Sequence, residues 1–164
     1  MKRLLTSCFG LGRLPLAPGT WGSLPPTIIF WLMCHFHVSG IWISIVMSAL
    51  AVAGSIVCVR FAPVIIRATG IGDPREIVAD EIAGQAVTFL SIAFLGLETF
   101  STGHIWLITA GGFFLFRLFD IAKPCPIRRL EKLSKGWGVL ADDLMAGAYA
   151  GIVLQIIIVL WTLE

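Results

Sequence analysis

The chain has 164 residues, of which 57% are hydrophobic and 13% charged, with a mean hydropathy of +0.92 and a formal net charge of +2. A soluble domain averages about 45–50% apolar and about 25% charged residues, so an ordinary water-soluble domain is excluded, as are a disordered chain, a collagen-like repeat and a coiled coil. The length allows one domain over residues 1–164, and so small a net charge provides no broad basic surface for nucleic acid. The composition is that of a small integral membrane protein.

At the N-terminus, Lys2 and Arg3 before Leu4-Leu5 imitate a signal peptide, but the apolar run breaks at Thr6. A cleavable signal needs about 7–15 apolar residues there, so the segment is read as uncleaved. Cys8, Cys34, Cys58 and Cys125 form no CxxC pair, and Cys34 and Cys58 read as buried, reduced thiols. The stretch from Gly10 to Ser23 is glycine-rich. Gly10, Gly12, Gly19 and Gly22 free backbone N–H groups to face an anion, and Thr20 and Ser23 add hydroxyls. A turn before a helix explains the composition equally well, and neither a Walker loop nor a dinucleotide fingerprint is present.

Five apolar segments follow: 24–38, 41–59, 82–97, 105–119 and 144–163. At ~1.5 Å per residue the second and fifth reach about 28–30 Å, enough for a hydrocarbon core of ~30 Å. The others reach about 22–24 Å; they cross by thinning the bilayer or borrowing flanking residues, or lie partly inside the protein. Pro25-Pro26 suits the start of a helix. All twelve Lys and Arg fall in three stretches. Lys2, Arg3 and Arg13 precede the first segment. Arg60, Arg67 and Arg75 lie between the second and third, and Arg117, near the end of the fourth, lies with Lys123, Arg128, Arg129, Lys132 and Lys135 in the stretch from 117 to 143. The positive-inside rule puts these stretches in the cytoplasm and the C-terminus outside. Asp73, Glu76, Asp80, Glu81, Asp120, Glu131, Asp142 and Asp143 share that side, leaving Glu98 and Glu164 opposite.

Two acidic pairs each precede an apolar helix: Asp80-Glu81 and Asp142-Asp143. Helix capping accounts for one acid per helix. Adjacent carboxylates at a bilayer boundary cost several kcal/mol unless a cation or a basic partner compensates them. Two such pairs on one face provide the hard oxygen ligands that Mg²⁺ takes, and Gly84, Ala146 and Gly147 allow the two helices to approach closely. Arg117, Asp120 and Lys123, three residues apart and followed by Pro124, form either an interfacial salt-bridge ladder or a phosphate grip. Arg117 interrupts an apolar run, where a charge is costly. Arg128, Arg129, Lys132 and Lys135 read as a solvated face attracted to anionic headgroups. His35, His37 and His104 lie away from the acids and are not read as ligands. No serine triad, no Cys-x5-Arg loop and no Asp-x-Asp motif occurs, so phosphoryl chemistry here would be metal-assisted with water as nucleophile.

Three blocks carry a resemblance: Ala17-Pro-Gly-Thr-Trp-Gly-Ser23, Asp80-Glu-Ile-Ala-Gly84, and the run from Arg117 to Gly147 with its Asp120, Lys123-Pro124, Arg128 and Asp142-Asp143. Together they resemble phosphatidylglycerophosphatase A, a bacterial membrane enzyme that removes the terminal phosphate of phosphatidylglycerophosphate. The resemblance implies an all-α, membrane-embedded bundle of about six helices with one central helix, acting as a Mg²⁺-dependent lipid phosphatase. On that reading Asp80, Glu81, Asp142 and Asp143 hold Mg²⁺, or one of them orients the attacking water. Arg117 and Lys123 grip the phosphomonoester, and Asp120 holds them in place or acts as acid or base. Thr20, Ser23 and the backbone of the glycine-rich loop bind a second phosphate or the glycerol, and Arg13, Gly19, Gly22 and Arg128 are further substrate contacts. Rival readings are a small carrier or channel, for which polar residues through the segments are too sparse, and a non-catalytic anionic-lipid-binding protein. A phosphatidyl-group transferase lacks its nucleotide-lipid motif.

Overall fold

A computed structural model describes residues 2–72, 74–130, 133 and 136–163. Asp73, Glu131, Lys132, Lys135 and Glu164, counted in the charge pattern, lie outside the described residues, as does the side chain of Glu98. Among the described residues every regular element is helical: α1 (Lys2–Thr6), α2 (Pro18–His35), α3 (Gly40–Thr69), α4 (Ala79–Leu90), α5 (Thr102–Ala122), α6 (Ile127–Leu130) and α7 (Gly136–Thr162), with short 3-10 turns at Leu11–Arg13 and Leu97–Thr99. Local chemistry sets several boundaries. Pro18 occupies the first turn of α2, where its missing N–H costs nothing. Ser101 caps α5 by accepting the His104 N–H at 3.4 Å. Gly70 closes α3 in the left-handed region (φ 70°), its N–H returning to the Ile66 carbonyl at 2.9 Å.

Three helices, rather than five segments, are long and apolar enough to cross a membrane: α3, α5 and α7, with 30, 21 and 27 residues. They present apolar side chains outward, among them Ile41, Ile45, Val52 and Ile56 on α3 and Ile152, Ile156 and Leu160 on α7. The expected first segment is the latter part of α2, which starts at Pro18 and carries Pro25 and Pro26 inside it rather than at its start. The expected third segment is divided. Only α4 is helical, and its 12 residues span about 18 Å, too short for a bilayer. Helix α4 is instead the central element, packed on α2, α3, α5 and α7. Its Ala79, Ala83, Ala86 and Phe89 are buried, and Phe89 stacks on Phe30 of α2 with centroids 4.2 Å apart. Arg60 and Arg67, expected in a connection, continue α3 as helix.

Residue order in the contacts gives the helix directions. Gly84, Thr88 and Ser91 of α4 meet Asp143, Gly147 and Gly151 of α7 in the same sequence, so the two helices run parallel. Gly22 meets Val78 and Glu81, and Phe30 meets Phe89, so α2 is parallel to α4 as well. Helix α5 runs the other way, with Phe116 on Gly84 and Gly112 on Phe89. The N-terminal parts of α2, α4 and α7 and the C-terminal part of α5 therefore meet at one end of the bundle.

The α4–α7 approach is the tightest constraint. A Cβ on Gly147 would collide with the Gly84 carbonyl, and one on Gly84 would lie 2.5 Å from the Asp143 carbonyl oxygen. Both obstacles are backbone, which cannot swing aside. Gly147→Ala is expected to destabilise the protein by about 2–3 kcal/mol, in the range of core overpacking. Gly103→Ala meets nothing nearer than Ser101 Oγ at 3.9 Å and should leave the thermal midpoint in detergent unchanged. Equal midpoints for the two variants would contradict this packing.

Candidate active site

Where these helix ends converge lies a cavity of about 490 Å³, lined by Pro18 and Gly19 of α2, Asp80 and Glu81 of α4, Arg117 and Asp120 of α5, Lys123 beyond it, and Asp142 and Asp143 of α7. The two acidic pairs are built by the same local device. The Asp80 Oδ1 accepts the Glu81 N–H and the Asp142 Oδ1 accepts the Asp143 N–H, each at 3.1 Å. The first acid of each pair is thereby held on its own helix. Parallel packing then sets the pairs side by side. One carboxylate oxygen from each of Asp80, Glu81 and Asp143 lies within 4.8 Å of the other two. Asp142 stands outside that group of three; its Oδ2 accepts from Lys123 Nζ at 2.6 Å.

Two chain segments enter the cavity through left-handed residues that precede prolines: Ala17 (φ 46°) before Pro18 and Lys123 (φ 43°) before Pro124. A non-glycine residue in that region is strained by about 1–3 kcal/mol, a cost concentrated at functional sites. Pro124 disfavours a helical residue before it, so α5 stops at Ala122 and Lys123 turns to Asp142. Arg117, still on α5, pairs through Nη1 with Asp120 Oδ2 at 2.6 Å. Its Nε and Nη1 are buried without a geometrically sound hydrogen bond. Gly19 abuts both signs of charge: a Cβ there would lie 2.5 Å from Glu81 Oε1 and 2.7 Å from Arg117 Nη1. The first turn of α2, with the positive end of its dipole, thus abuts the carboxylates and the guanidinium at Gly19.

Burial drives the Glu81 carboxyl up to about 8 from an ordinary 4.5. The hydrogen bond with Asp80 and the Arg117 charge oppose that rise, whereas Asp143 and Asp120 add to it. Its Oε2 is buried with no hydrogen-bond partner among the described residues. An unpartnered carboxylate oxygen among three converging oxygen donors fits a hard divalent cation, because only oxygen ligands are offered.

Residues 4–158 match the family described as phosphatidylglycerophosphatase A. The chain belongs to the phosphatidylglycerophosphatase A family. Its relatives include the phosphatidylglycerophosphatase A of Haemophilus influenzae, 37% identical over 153 residues, covering 92% of this chain and 85% of that one. The Escherichia coli protein of the same name is 32% identical over 155 residues, covering 94% and 81%. A Bacteroides thetaiotaomicron protein named as a candidate phosphatidylinositol-3-phosphatase is also 32% identical, covering 93% and 91%. No solved structure matches significantly. Membership of a bacterial phosphatase family, together with three membrane-length apolar helices, makes this a membrane protein of phosphatase type.

Of the residues expected at the site, Gly19, Asp80, Glu81, Arg117, Asp120, Lys123, Asp142 and Asp143 line the cavity. Others face elsewhere. Ser23 is buried and donates its hydroxyl to the Gly19 carbonyl at 2.8 Å. Gly22 packs on Val78 and Glu81 Cβ, which makes it a helix-contact residue. Thr20 sits in the first turn of α2, its N–H on the Ala17 carbonyl at 2.9 Å. Arg13 turns to Glu76 at 3.7 Å, and Arg3 reaches the same carboxylate at 3.5 Å. Arg128 lies in an adjoining cavity that shares Lys123. The glycine-rich stretch, expected as a loop, is helical from Pro18, and Gly136-Trp-Gly138 is the start of α7.

Sequence reasoning missed Arg75, which lines the cavity and had been read only as a topological charge. It also missed Gln85, one turn beyond Glu81, fully buried with both amide atoms unpartnered. A glutamine four residues after a carboxylate on an otherwise small, apolar helix was the available signal.

The raised Glu81 group makes stability depend on pH. In the unfolded chain it ionises near 4.5; in the fold it keeps its proton to about 8. Between those values the folded state binds more protons, so the stability of cation-free protein falls as pH rises through the window and levels off above it. Glu81→Gln should therefore unfold at a higher temperature than the parent at pH 8.5 in EDTA, with the difference vanishing at pH 4. Parallel pH profiles in thermal unfolding would show that burial does not hold the proton.

Proposed function

We propose that this protein hydrolyses the terminal phosphomonoester of phosphatidylglycerophosphate to phosphatidylglycerol and inorganic phosphate, with Asp80, Glu81 and Asp143 as ligands of Mg²⁺. The observation that carries this reading is the trio of carboxylates within 4.8 Å beside the buried Arg117 guanidinium, whose Nε has no hydrogen-bond partner among the described residues. That is a site with separate places for a cation and for a phosphate. A divalent cation there supplies charge that neutralises the phosphoryl oxygens.

The protein's own groups do the rest. The Arg117 fork and the Lys123 ammonium hold the equatorial phosphoryl oxygens as charge builds on them. Asp120 fixes Arg117, and Asp142 fixes Lys123, through the pairs at 2.6 Å. In the hydrolysis, water oxygen bonds to phosphorus while the phosphorus–oxygen bond to glycerol breaks. One proton leaves the water for the Asp120 carboxylate, which passes it to the departing glycerol oxygen. Asp120, within hydrogen-bonding reach of Asp143, is the residue we assign to that proton traffic. The positive end of the α2 dipole at Gly19 adds potential over the phosphate. We place the site at the cytoplasmic face of a multi-pass inner-membrane protein, because Lys and Arg gather at this end of the bundle.

The Bacteroides relative supports a second reading, in which the monoester is that of a phosphoinositide; the same grip on a phosphomonoester would serve it. Purified protein is expected to release phosphate from phosphatidylglycerophosphate with Mg²⁺, to stop in EDTA and to recover on Mg²⁺ addition. Asp143→Asn, Asp80→Asn and Arg117→Gln should each lower kcat by at least about 10²-fold, as loss of a transition-state contact does. Full turnover in EDTA would remove the cation from the scheme. Release only from phosphatidylinositol 3-phosphate would replace the substrate, and release from neither lipid would overturn the reading.

A further inference from the structure

A second cavity, of about 460 Å³, lies beyond Lys123 and is lined by Ala122, Lys123, Pro124, Cys125, Arg128 and Arg129. Its lining is split between apolar Ala122 and Pro124 and two exposed guanidinium groups, of Arg128 and Arg129, that have no ion pair among the described residues. Lys123 lines both this cavity and the one holding the carboxylates. A third feature lies on the same side of α5. Leu107, Gly111, Phe114 and Leu118 form, with α7, an apolar groove of about 310 Å³. Helical spacing puts these residues and Ala122 on one face of α5, with Phe114 about 12 Å along the axis from Ala122. The groove thus points along the membrane-spanning part of α5 towards the basic cavity.

An apolar groove, then a cation-rimmed cavity, then a carboxylate-lined cavity is the order of parts in a lipid that carries two phosphates in series. We infer that the basic cavity is the subsite for the substrate's inner phosphodiester, held by Arg128 and Arg129, with an acyl chain in the α5–α7 groove and the terminal monoester passing Lys123 to the carboxylates. This rests on the phosphatase reading above and extends it: the enzyme reads two phosphates one glycerol unit apart, and the pair at Arg128 and Arg129 selects a lipid with a phosphodiester behind its phosphomonoester.

Cys125 provides a direct readout, because it is exposed in the cavity wall while Cys34 and Cys58 are buried. Cys8 is half-buried, and burial pushes its thiol pKa up, so it serves as the internal control. In purified full-length protein in detergent with EDTA, N-ethylmaleimide modification of Cys125, followed by peptide mass spectrometry, should slow several-fold with phosphatidylglycerol. Diacylglycerol or inorganic phosphate should leave it unchanged. Protection by diacylglycerol to the same extent, or none by phosphatidylglycerol, overturns the subsite. In turnover, Arg128→Gln/Arg129→Gln should raise KM for phosphatidylglycerophosphate about tenfold, one charge-assisted contact's worth, with a far smaller change in kcat. An unchanged KM would mean that the cavity takes a bulk anionic lipid, and overturns the assignment. If the parent protein releases no phosphate at all, the phosphatase reading fails instead, and the Cys125 result still reports whether the cavity takes a phosphodiester.

Discussion

The parallel contact between α4 and α7 is the constraint on which the site depends. Four carboxylic acids in two adjacent pairs would repel one another wherever they met, and nothing in their local sequence draws them together. Glycines at 84 and 147 let the two backbones touch, and Thr88 Oγ1 bonds to both the Gly84 and Gly147 carbonyls at 3.3 Å. That packing free energy, distributed along two helices, is what holds Asp80, Glu81 and Asp143 within reach of one cation. The arrangement stores electrostatic cost in the fold and makes it available for binding.

Compensation of that cost comes from α5, which enters from the opposite direction and ends at the same place. Its C-terminal turns deliver Arg117 and Lys123, each paired at 2.6 Å with an acid that is not in the cluster of three. The division matters. Asp120 and Asp142 are occupied with cations of the protein, whereas Asp80, Glu81 and Asp143 face the cavity together. Two opposite charge patterns thereby coexist in about 490 Å³, the arrangement a phosphate monoester bound to a divalent ion requires.

A short central helix also resolves how so small a chain holds a polar site at a membrane. Helices α3, α5 and α7 are long and apolar enough to meet lipid, and α4 is packed among its neighbours. Polar groups on α4, including Gln85 and Thr88, are therefore buried in protein rather than hydrocarbon, where they can be accommodated at lower cost.

Apolar, membrane-type character and the clustering of charged residues at one end of the chain's helices were legible in the sequence, because they follow from composition and from charges that are expensive in lipid. Asp80-Glu81, Asp142-Asp143, Arg117 and Lys123 stood out for that reason, and each lines the cavity. The five-segment count failed because hydropathy does not distinguish a lipid-facing helix from one buried in protein; residues 82–97 are apolar on account of the core. Partner choice was likewise decided only in three dimensions. Spacing along α5 could not tell that Asp142, from α7, would take Lys123, nor that Arg13 would turn to Glu76. Sequence determined which charges the membrane would tolerate and at which end, since that is a property of each side chain and its solvent; tertiary packing alone determined which of them met, since that depends on where helix backbones can touch.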